Sequence, residues 1–406
     1  MVIEVKDRIY LDNSATTALS AGVKEAMVAA MEIYGNPSSL HTAGDEAHRL
    51  LNTAREQIYS AVGVRQADGW RAVFTASGSE ANNLAILGAA RAKKHFSSKR
   101  ILLTDSEHPS VARAVEALTR EGFEAVYIST RGGALDMVQL RNEAMKGVFL
   151  ASFMLVNNET GALYDIDAAA RAIRAVSPDA LIHCDAVQGF LRQALPRVSC
   201  GIDMISVSAH KIHGPKGVGA LVISPAVIKR RALTPVIYGG GQERGKRAGT
   251  ENVAGIVGLG AAIEIAVSRM DEHNEKVLAL RNRLIDGLLA AVPMSKLNGS
   301  RENRLPGNCN ISFVGVEGES LLLMLDHMGI MASSGSACAS ASLDPSHVLM
   351  SLGMKHEEAH GSVRLSLSEE NTEEDVDYII ETLPTIVANL RKMSPLWETI
   401  QKEQNT

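Results

Sequence analysis

The sequence predicts an α/β fold, with a mostly parallel sheet covered on both faces and a smaller α+β domain after it. Three observations carry that reading. Short apolar strands alternate with helical patterns from residue 73 to residue 223, as in sheets built from crossover helices. His108, Asn158, Asp185, Gln188, Ser208, His210 and Lys211 stand just past the ends of those strands, where such sheets hold their ligands. Beyond a long helical stretch, 253–292, the order of elements changes. The chain has 406 residues, 46% of them hydrophobic, which leaves room for two cores.

The first element is a short strand over residues 8–12, followed by the turn Asn13-Ser-Ala-Thr-Thr17. Ser20 is a candidate cap for a helix running to about Tyr34, because its hydroxyl can accept a free N–H of the first turn. Gly35-Asn-Pro-Ser-Ser39 is a loop. Apolar residues then recur at helical spacing over 44–62. Residues 73–75 form a brief strand, and small residues lead from it into a helix through Ala92. The free N–H groups at such a helix start suit a phosphate; an ordinary strand-to-helix connection has the same outline.

The pattern repeats with strands at 100–104, 125–128, 148–156 and 181–184. Helices follow Pro109 and span 166–176. The apolar strand 204–207 runs into Ser208, Ala209, His210 and Lys211, then the turn Gly214-Pro-Lys-Gly217, then a second apolar run over 218–223. Segment 239–250 is Gly-rich and locally basic and reads as a mobile loop able to approach an anion. After the long helix come a strand at 310–314, a helix at 319–327, a strand near Ile330, a strand at 363–367 and a helix at 373–393. The tail after Trp397 is polar and is expected to fray.

Composition narrows the function. The formal net charge is −5 and the pI about 6.2, so no basic field favours nucleic acid. No apolar run is counted as long enough to span a bilayer, and no signal-peptide core opens the chain. Cys184, Cys200, Cys309 and Cys338 are scattered with no CxxC pair, which argues against a structural metal site or a disulfide framework and for a cytoplasmic protein.

Chemistry concentrates at two centres. A lysine just past a buried strand emerges at the mouth of a sheet, where a desolvated amine can form a Schiff base with a carbonyl cofactor. A surface lysine in a polar turn is the ordinary alternative. Pyridoxal phosphate needs an amine, a carboxylate for its pyridine nitrogen, a phosphate cup and a flat group over its ring. Lys211 offers the first and Asp185 the second; Gly78 and Ser79 with Ser208 and His210 offer the cup, and His108 the flat ring. The second centre is Ser333-Ser-Gly-Ser-Ala-Cys338, where small residues surround one thiol. That composition suits an exposed flexible loop and an ionisable nucleophile. Cys184, inside an apolar strand, reads as buried. Arg364, a charge within a strand, suits capture of a carboxylate or faces outward.

Together these motifs resemble the pyridoxal-phosphate-dependent cysteine desulfurases of the NifS/IscS type, in the class V aminotransferase group. The resemblance runs from Tyr10-Leu-Asp-Asn-Ser-Ala-Thr-Thr17 to Ser394-Pro-Leu-Trp397. It rests on Gly35-Asn-Pro-Ser-Ser39, Glu107-His108, Val156-Asn-Asn-Glu159, Asp185-Ala-Val-Gln188, Ser208-Ala-His-Lys211, Arg247-Ala-Gly-Thr250 and the Cys338 segment, which is similar to the branch with the longer cysteine loop. It implies a fold type I transferase with a seven-stranded sheet, a large domain over 16–262, and a small domain made of 1–15 and 263–406.

The resemblance also implies roles. Lys211 would be the Schiff-base lysine and general base, and His108 would stack on the ring and move protons. Asp185 would pair with the ring nitrogen and Gln188 with the ring hydroxyl. Asn158 would touch substrate or ring. Gly78, Ser79, Ser208 and His210 would hold the phosphate, with Thr250 supplied by the second subunit of a homodimer. Arg364 would bind the carboxylate of L-cysteine, and Cys338 would carry a persulfide to an acceptor such as an iron–sulfur scaffold, contacting a cluster transiently. No resident metal, nucleic acid or membrane partner is implied. Ser79 departs from the family's usual Thr but keeps the hydroxyl. The chain ends soon after Trp397, where some relatives carry a scaffold-docking tail, so the acceptor stays open. A selenocysteine lyase or another class V aminotransferase is the alternative.

Overall fold

The structure, a computed structural model, describes residues 8–92, 98–334 and 345–404. After the short strand β1 (Ile9–Tyr10), seven strands form the main sheet. They are β2 (Arg71–Thr75), β3 (Arg100–Thr104), β4 (Glu124–Ile128), β5 (Leu150–Met154), β6 (Leu181–Asp185), β7 (Met204–Ser208) and β8 (Gly219–Ile223). Their order is β2-β8-β7-β6-β5-β3-β4. Only β8 runs against its neighbours, and the remaining pairings are parallel. The expected mostly parallel, seven-stranded α/β sheet is therefore present.

Period-2 alternation sends neighbouring residues to opposite faces. Leu102, Phe153, Ile182 and Ile205 enter one core, shared with the helices Thr42–Val62 and Ile166–Val176. Ile101, Leu103, Leu150 and Leu221 enter the other, under the helices Gly78–Ala92 and Pro109–Thr119. Each such side chain, fully buried, contributes about 1.5–3 kcal/mol. A sheet covered on both faces leaves only its strand ends open, and the site forms there.

A further core gathers around an antiparallel sheet, in which β10 (Asn308–Phe313) lies between β9 (Ser295–Leu297) and β12 (Ser362–Ser366). β1 pairs in parallel with β11 (Ile330–Met331), which brings the chain's N-terminal segment to this core. The helix Glu373–Lys392 covers it and opens with a capping box, Thr372 and Asp375.

The helix Val253–Ala291 serves both regions: Ile256, Leu259 and Ile263 enter the first core, and Leu280, Leu284 and Leu288 the last. Contrary to the sequence reading, it holds an 18-residue window, of mean hydropathy 1.6, that is apolar and long enough to cross a membrane by composition. The apolarity has a local cause, since its first half packs into the main core. Two further expectations fail. The tail past Trp397 does not fray but forms the helix Pro395–Gln404, with the Arg391 guanidinium 4.1 Å from the Trp397 ring. Segment 239–250 is not loose: the buried Glu243 carboxylate accepts bonds from Arg55 at 2.9 and 3.0 Å and from the Phe74 N–H at 3.0 Å. That anchoring holds Glu243 and Arg244 at positive φ (48° and 56°), which costs backbone energy for non-glycine residues.

Candidate active site

A cavity of about 290 Å³ opens at the carboxyl ends of β2, β5, β6 and β7. Gly78, Ser79, His108 and Asn158 line it. So do Asp185, Gln188, Ser208, His210 and Lys211. Thr250 is exposed elsewhere, Arg364 does not line this cavity but bonds the carbonyl of Asn158, which does, and Cys338 lies outside the described residues.

Lys211 ends the short helical turn Ala209–Lys211 that follows β7. Its Nζ donates to the carbonyls of Ser14 (2.5 Å) and Ala15 (2.8 Å). Ser14 is itself held by β12, since its N–H donates to Ser366 Oγ at 2.9 Å. The amine thus sits where the N-terminal segment, β7 and β12 meet. Burial pushes it down to about 8, and the charges of Arg364 and Arg192 add to the effect against Asp12 and Asp185. Beside it, burial together with Lys211 and Lys216 lowers His210 to about 4, so its imidazole is neutral at pH 7.

The turn after β2 is built for close approach. Ser77 Oγ accepts the Glu80 N–H at 3.1 Å, fixing the helix start at Gly78. A Cβ on Gly78 would meet Val187 Cγ2 at 2.6 Å. A Cβ on Gly219 of β8 would meet the Gly78 nitrogen at 2.9 Å. Both positions therefore need glycine for the turn to seat on β8. Ser208 Oγ, at the end of β7, is buried beside this turn and has no hydrogen-bond partner.

One chain of hydrogen bonds crosses the cavity floor. Asn82 Nδ2 donates to Asp185 Oδ2 at 2.6 Å and to Ser110 Oγ at 2.9 Å. Ser110 Oγ lies 2.8 Å from His108 Nδ1, and the Ser110 backbone N–H donates to the same nitrogen at 3.1 Å. A backbone N–H can only donate, so His108 Nδ1 accepts and the neutral ring carries its proton on Nε2. Burial lowers His108, which favours that neutral form. Burial also pushes Asp185 up, while His108, the Val187 N–H at 3.0 Å and Asn82 pull it back. A carboxylate in that position gains from a cationic partner.

Gln188 Nε2 donates to the Ser14 carbonyl at 2.8 Å, leaving Oε1 buried without a partner. Arg364 faces inward, resolving its two sequence readings: it is 2% exposed, donates to the Asn158 carbonyl at 2.9 Å and pairs with Asp12 at 2.7 Å. Its backbone bonds Ser333, at the start of the cysteine segment.

Sequence reasoning missed Asn82, Ser110 and the Ser14 and Ala15 carbonyls. Asn82 stands one helical turn past Gly78 and Ser110 two residues past His108, so their spacing was the available signal. Glu107 was quoted only as a motif letter; fully buried, it is pushed up to about 8 and accepts from Thr104 Oγ1 and the Met154 N–H.

The family model for class V aminotransferases matches residues 9–379. A protein of Clostridium botulinum named cysteine desulfurase IscS is 46% identical over 401 residues, covering 98% of each chain. One of the same name from Methanosarcina thermophila is 43% identical, over 96% of this chain and 94% of its own. Among solved structures, a NifS-like protein superposes with a TM-score of 0.87 at 34% identity, covering 94% of this chain and 100% of the other. SspA in complex with cysteine superposes with a TM-score of 0.72 at 29% identity, covering 89% and 99%.

Proposed function

The chain belongs to the class V aminotransferase family, and from that premise we propose that it is a cysteine desulfurase that works with pyridoxal phosphate. It takes sulfur from L-cysteine and releases L-alanine. The observation that carries this reading is Lys211, a half-buried residue whose amine is pushed down to about 8 and which lines one cavity with Asp185.

The chain's own residues fit the cofactor. Ser208 Oγ and Gln188 Oε1 are buried in this cavity's wall without partners, which is the state expected of groups that await a ligand. In this reading Asp185 holds the pyridine nitrogen and Gln188 the ring hydroxyl. Gly78, Ser79, Ser208 and His210 cradle the phosphate, and His108 lies against the ring. Bound there, pyridoxal phosphate supplies an electron sink that makes the Cα proton of cysteine removable. Lys211 binds the cofactor and then carries protons as a general base, for which a value near the working pH is favourable. Arg364 and Asn158 orient the substrate carboxylate.

Cys338 accepts the sulfur. The substrate Cβ–S bond breaks, an S–S bond to Cys338 forms, and Cβ gains a proton, so no outside oxidant or reductant is consumed. The backbone pairing of Ser333 with Arg364 supports this role, because it anchors the start of the Cys338 segment next to the proposed carboxylate site. The acceptor is a sulfur-carrying partner such as an iron–sulfur scaffold. The free thiols Cys184, Cys200 and Cys309 support a reducing, cytoplasmic setting. A homodimer completes the phosphate site with Thr250. In support, Thr250 is exposed on a segment tied by Arg247 to Glu80, at 3.0 Å, close to the phosphate turn.

The test combines cofactor retention with product analysis. Lys211→Ala is expected to lose the visible absorbance of covalently bound cofactor and to lose turnover on the order of 10³-fold. Cys338→Ala is expected to keep the absorbance and lose alanine and sulfide release from cysteine. Desulfuration by Cys338→Ala at the wild-type rate would sink the thiol role.

A further inference from the structure

A second cavity, of about 280 Å³, lies against Lys211. The long helix encloses it together with the segments after β7 and β12 and the turn 305–307. Much of its wall is apolar: Leu191, Ile212, Ile265, Met270 and Leu367. Against that wall stands the guanidinium of Arg192, while that of Arg269 lies at the exposed rim.

Among the described residues, Arg192 has no counter-charge. Its Nη2 reaches only the Leu367 carbonyl, at a long 3.4 Å, and its Nη1 is buried with no partner. Among the described residues no carboxylate forms an ion pair with it. Glu369, whose charge it feels, is claimed by others: one oxygen lies 3.3 Å from His213 Nε2 and 3.4 Å from His273 Nδ1. Glu370 and Arg269 are exposed and opposite in sign, so they leave the rim balanced. The interior of the cavity is thus largely apolar, with the Lys211 amine at one end held by backbone carbonyls and the Arg192 guanidinium met by no carboxylate among the described residues, and buried charges are ordinarily paired. Arg192 also belongs to the positive field that lowers Lys211.

We propose that this cavity binds a small carboxylate carried on an apolar stem, with the carboxylate on Arg192 and the stem along the long helix. The chemistry selects the class. Guanidinium and carboxylate match as donor fork and acceptor pair. The apolar wall gains from a hydrocarbon stem and gives nothing to a bare inorganic anion. Because Lys211 lines both cavities, a negative charge placed here offsets part of the field on the active amine, which couples occupancy to the reaction site.

The test is calorimetric titration of the cofactor-loaded protein with hexanoate, which reads binding apart from desulfurase activity. The wild type is expected to bind one hexanoate per chain, with sulfate binding far more weakly. Arg192→Met is expected to weaken hexanoate roughly tenfold to a hundredfold, while Arg192→Lys, which keeps the charge without the donor fork, loses less than Arg192→Met. Ala266→Phe, which fills the cavity without altering charge, is expected to abolish binding even though Arg364 is intact. Retention of the visible cofactor band in each variant shows that the fold persists. Absence of saturable binding to the wild type at concentrations on the order of 10 mM overturns the proposal, leaving water as the occupant. Binding that survives both Arg192→Met and Ala266→Phe overturns it as well.

Discussion

Lys211 has two unlike sides. On one, His108, Ser110, Asn82 and Asp185 form a chain in which each link has a defined donor and acceptor. On the other, Arg192 keeps a charge that no carboxylate among the described residues meets, while Glu369 is held by two histidines. The difference shows how one fold sets up two kinds of behaviour around a single amine. A chain whose links each have a fixed direction has few low-energy arrangements, so it can hold a reacting group in register. An unsatisfied charge beside apolar walls has its best partner outside the protein. Of the orphaned atoms on the ordered side, Ser208 Oγ and Gln188 Oε1 stand at its edge, where a cofactor is expected, and Asn82 Oδ1 lies within the chain.

The sharpest way to break the comparison is to cut the ordered side at its centre. Asn82→Ala removes the donor that joins Asp185 to Ser110 and leaves Asp185 with the Val187 N–H. A buried hydrogen bond to a charged group is involved, so kcat/KM for cysteine is expected to fall about tenfold to a hundredfold. The fall should come mainly in kcat, with a shift in the pH dependence of the cofactor's visible band. Equal loss in Asn82→Ala and Asn82→Asp with an unmoved band would mean that Asn82 only fills space.

The other side is probed through stability. Burial alone would raise Glu369, but His213 and His273 override it and hold the carboxyl down to about 2. A folded value below the ordinary 4.5 means that the stabilisation is fully present above pH 4.5 and is lost as pH falls toward 2. His213 is shifted up, burial notwithstanding, by the same partner, so its share is present below pH 6.5 and fades as pH rises above that. Glu369→Gln is therefore expected to cost about 1–2 kcal/mol near pH 6, after allowance for solvent screening of a partly exposed pair. The deficit should shrink on acidification, as followed by chemical denaturation at several pH values. A deficit that grows as pH falls from 6 toward 2 would show that the two histidines are not the partners that matter.

Local signals explain what could be read from the sequence. Ser20 is the cap of the helix Ala21–Met31, accepting the Val23 N–H as its position suggested. Lys211, Asp185 and His108 were found because a strand end is a place that sequence can locate. The long helix ended where Pro293 required, at Ala291. What escaped depends on distant partners. Asn82 looks like any helix residue until Asp185, 103 positions away, arrives beside it. Glu243 sits in a glycine-rich stretch that reads as loose, and only Arg55, 188 positions away, pins it. The unpaired charge of Arg192 is further from view, because a sequence with 46 acidic residues gives no hint that none of the described ones forms an ion pair with it.

The smallest effect sharpens the account of His108. Two groups of Ser110 touch its Nδ1, the hydroxyl at 2.8 Å and the backbone N–H at 3.1 Å. Ser110→Ala removes the first and keeps the second. If the backbone fixes the tautomer, the variant still presents the Nε2 proton to the cavity, and the pH profile of turnover should not move. The lost hydroxyl link to Asn82 should cost only about twofold to fivefold in kcat, the scale of one neutral hydrogen bond. A displaced pH profile, or an imidazole nitrogen spectrum showing Nδ1 protonated, would mean that the hydroxyl and not the main chain sets the ring. The ordered side of Lys211 would then depend on a single removable side chain, and its contrast with the Arg192 side would lose its physical basis.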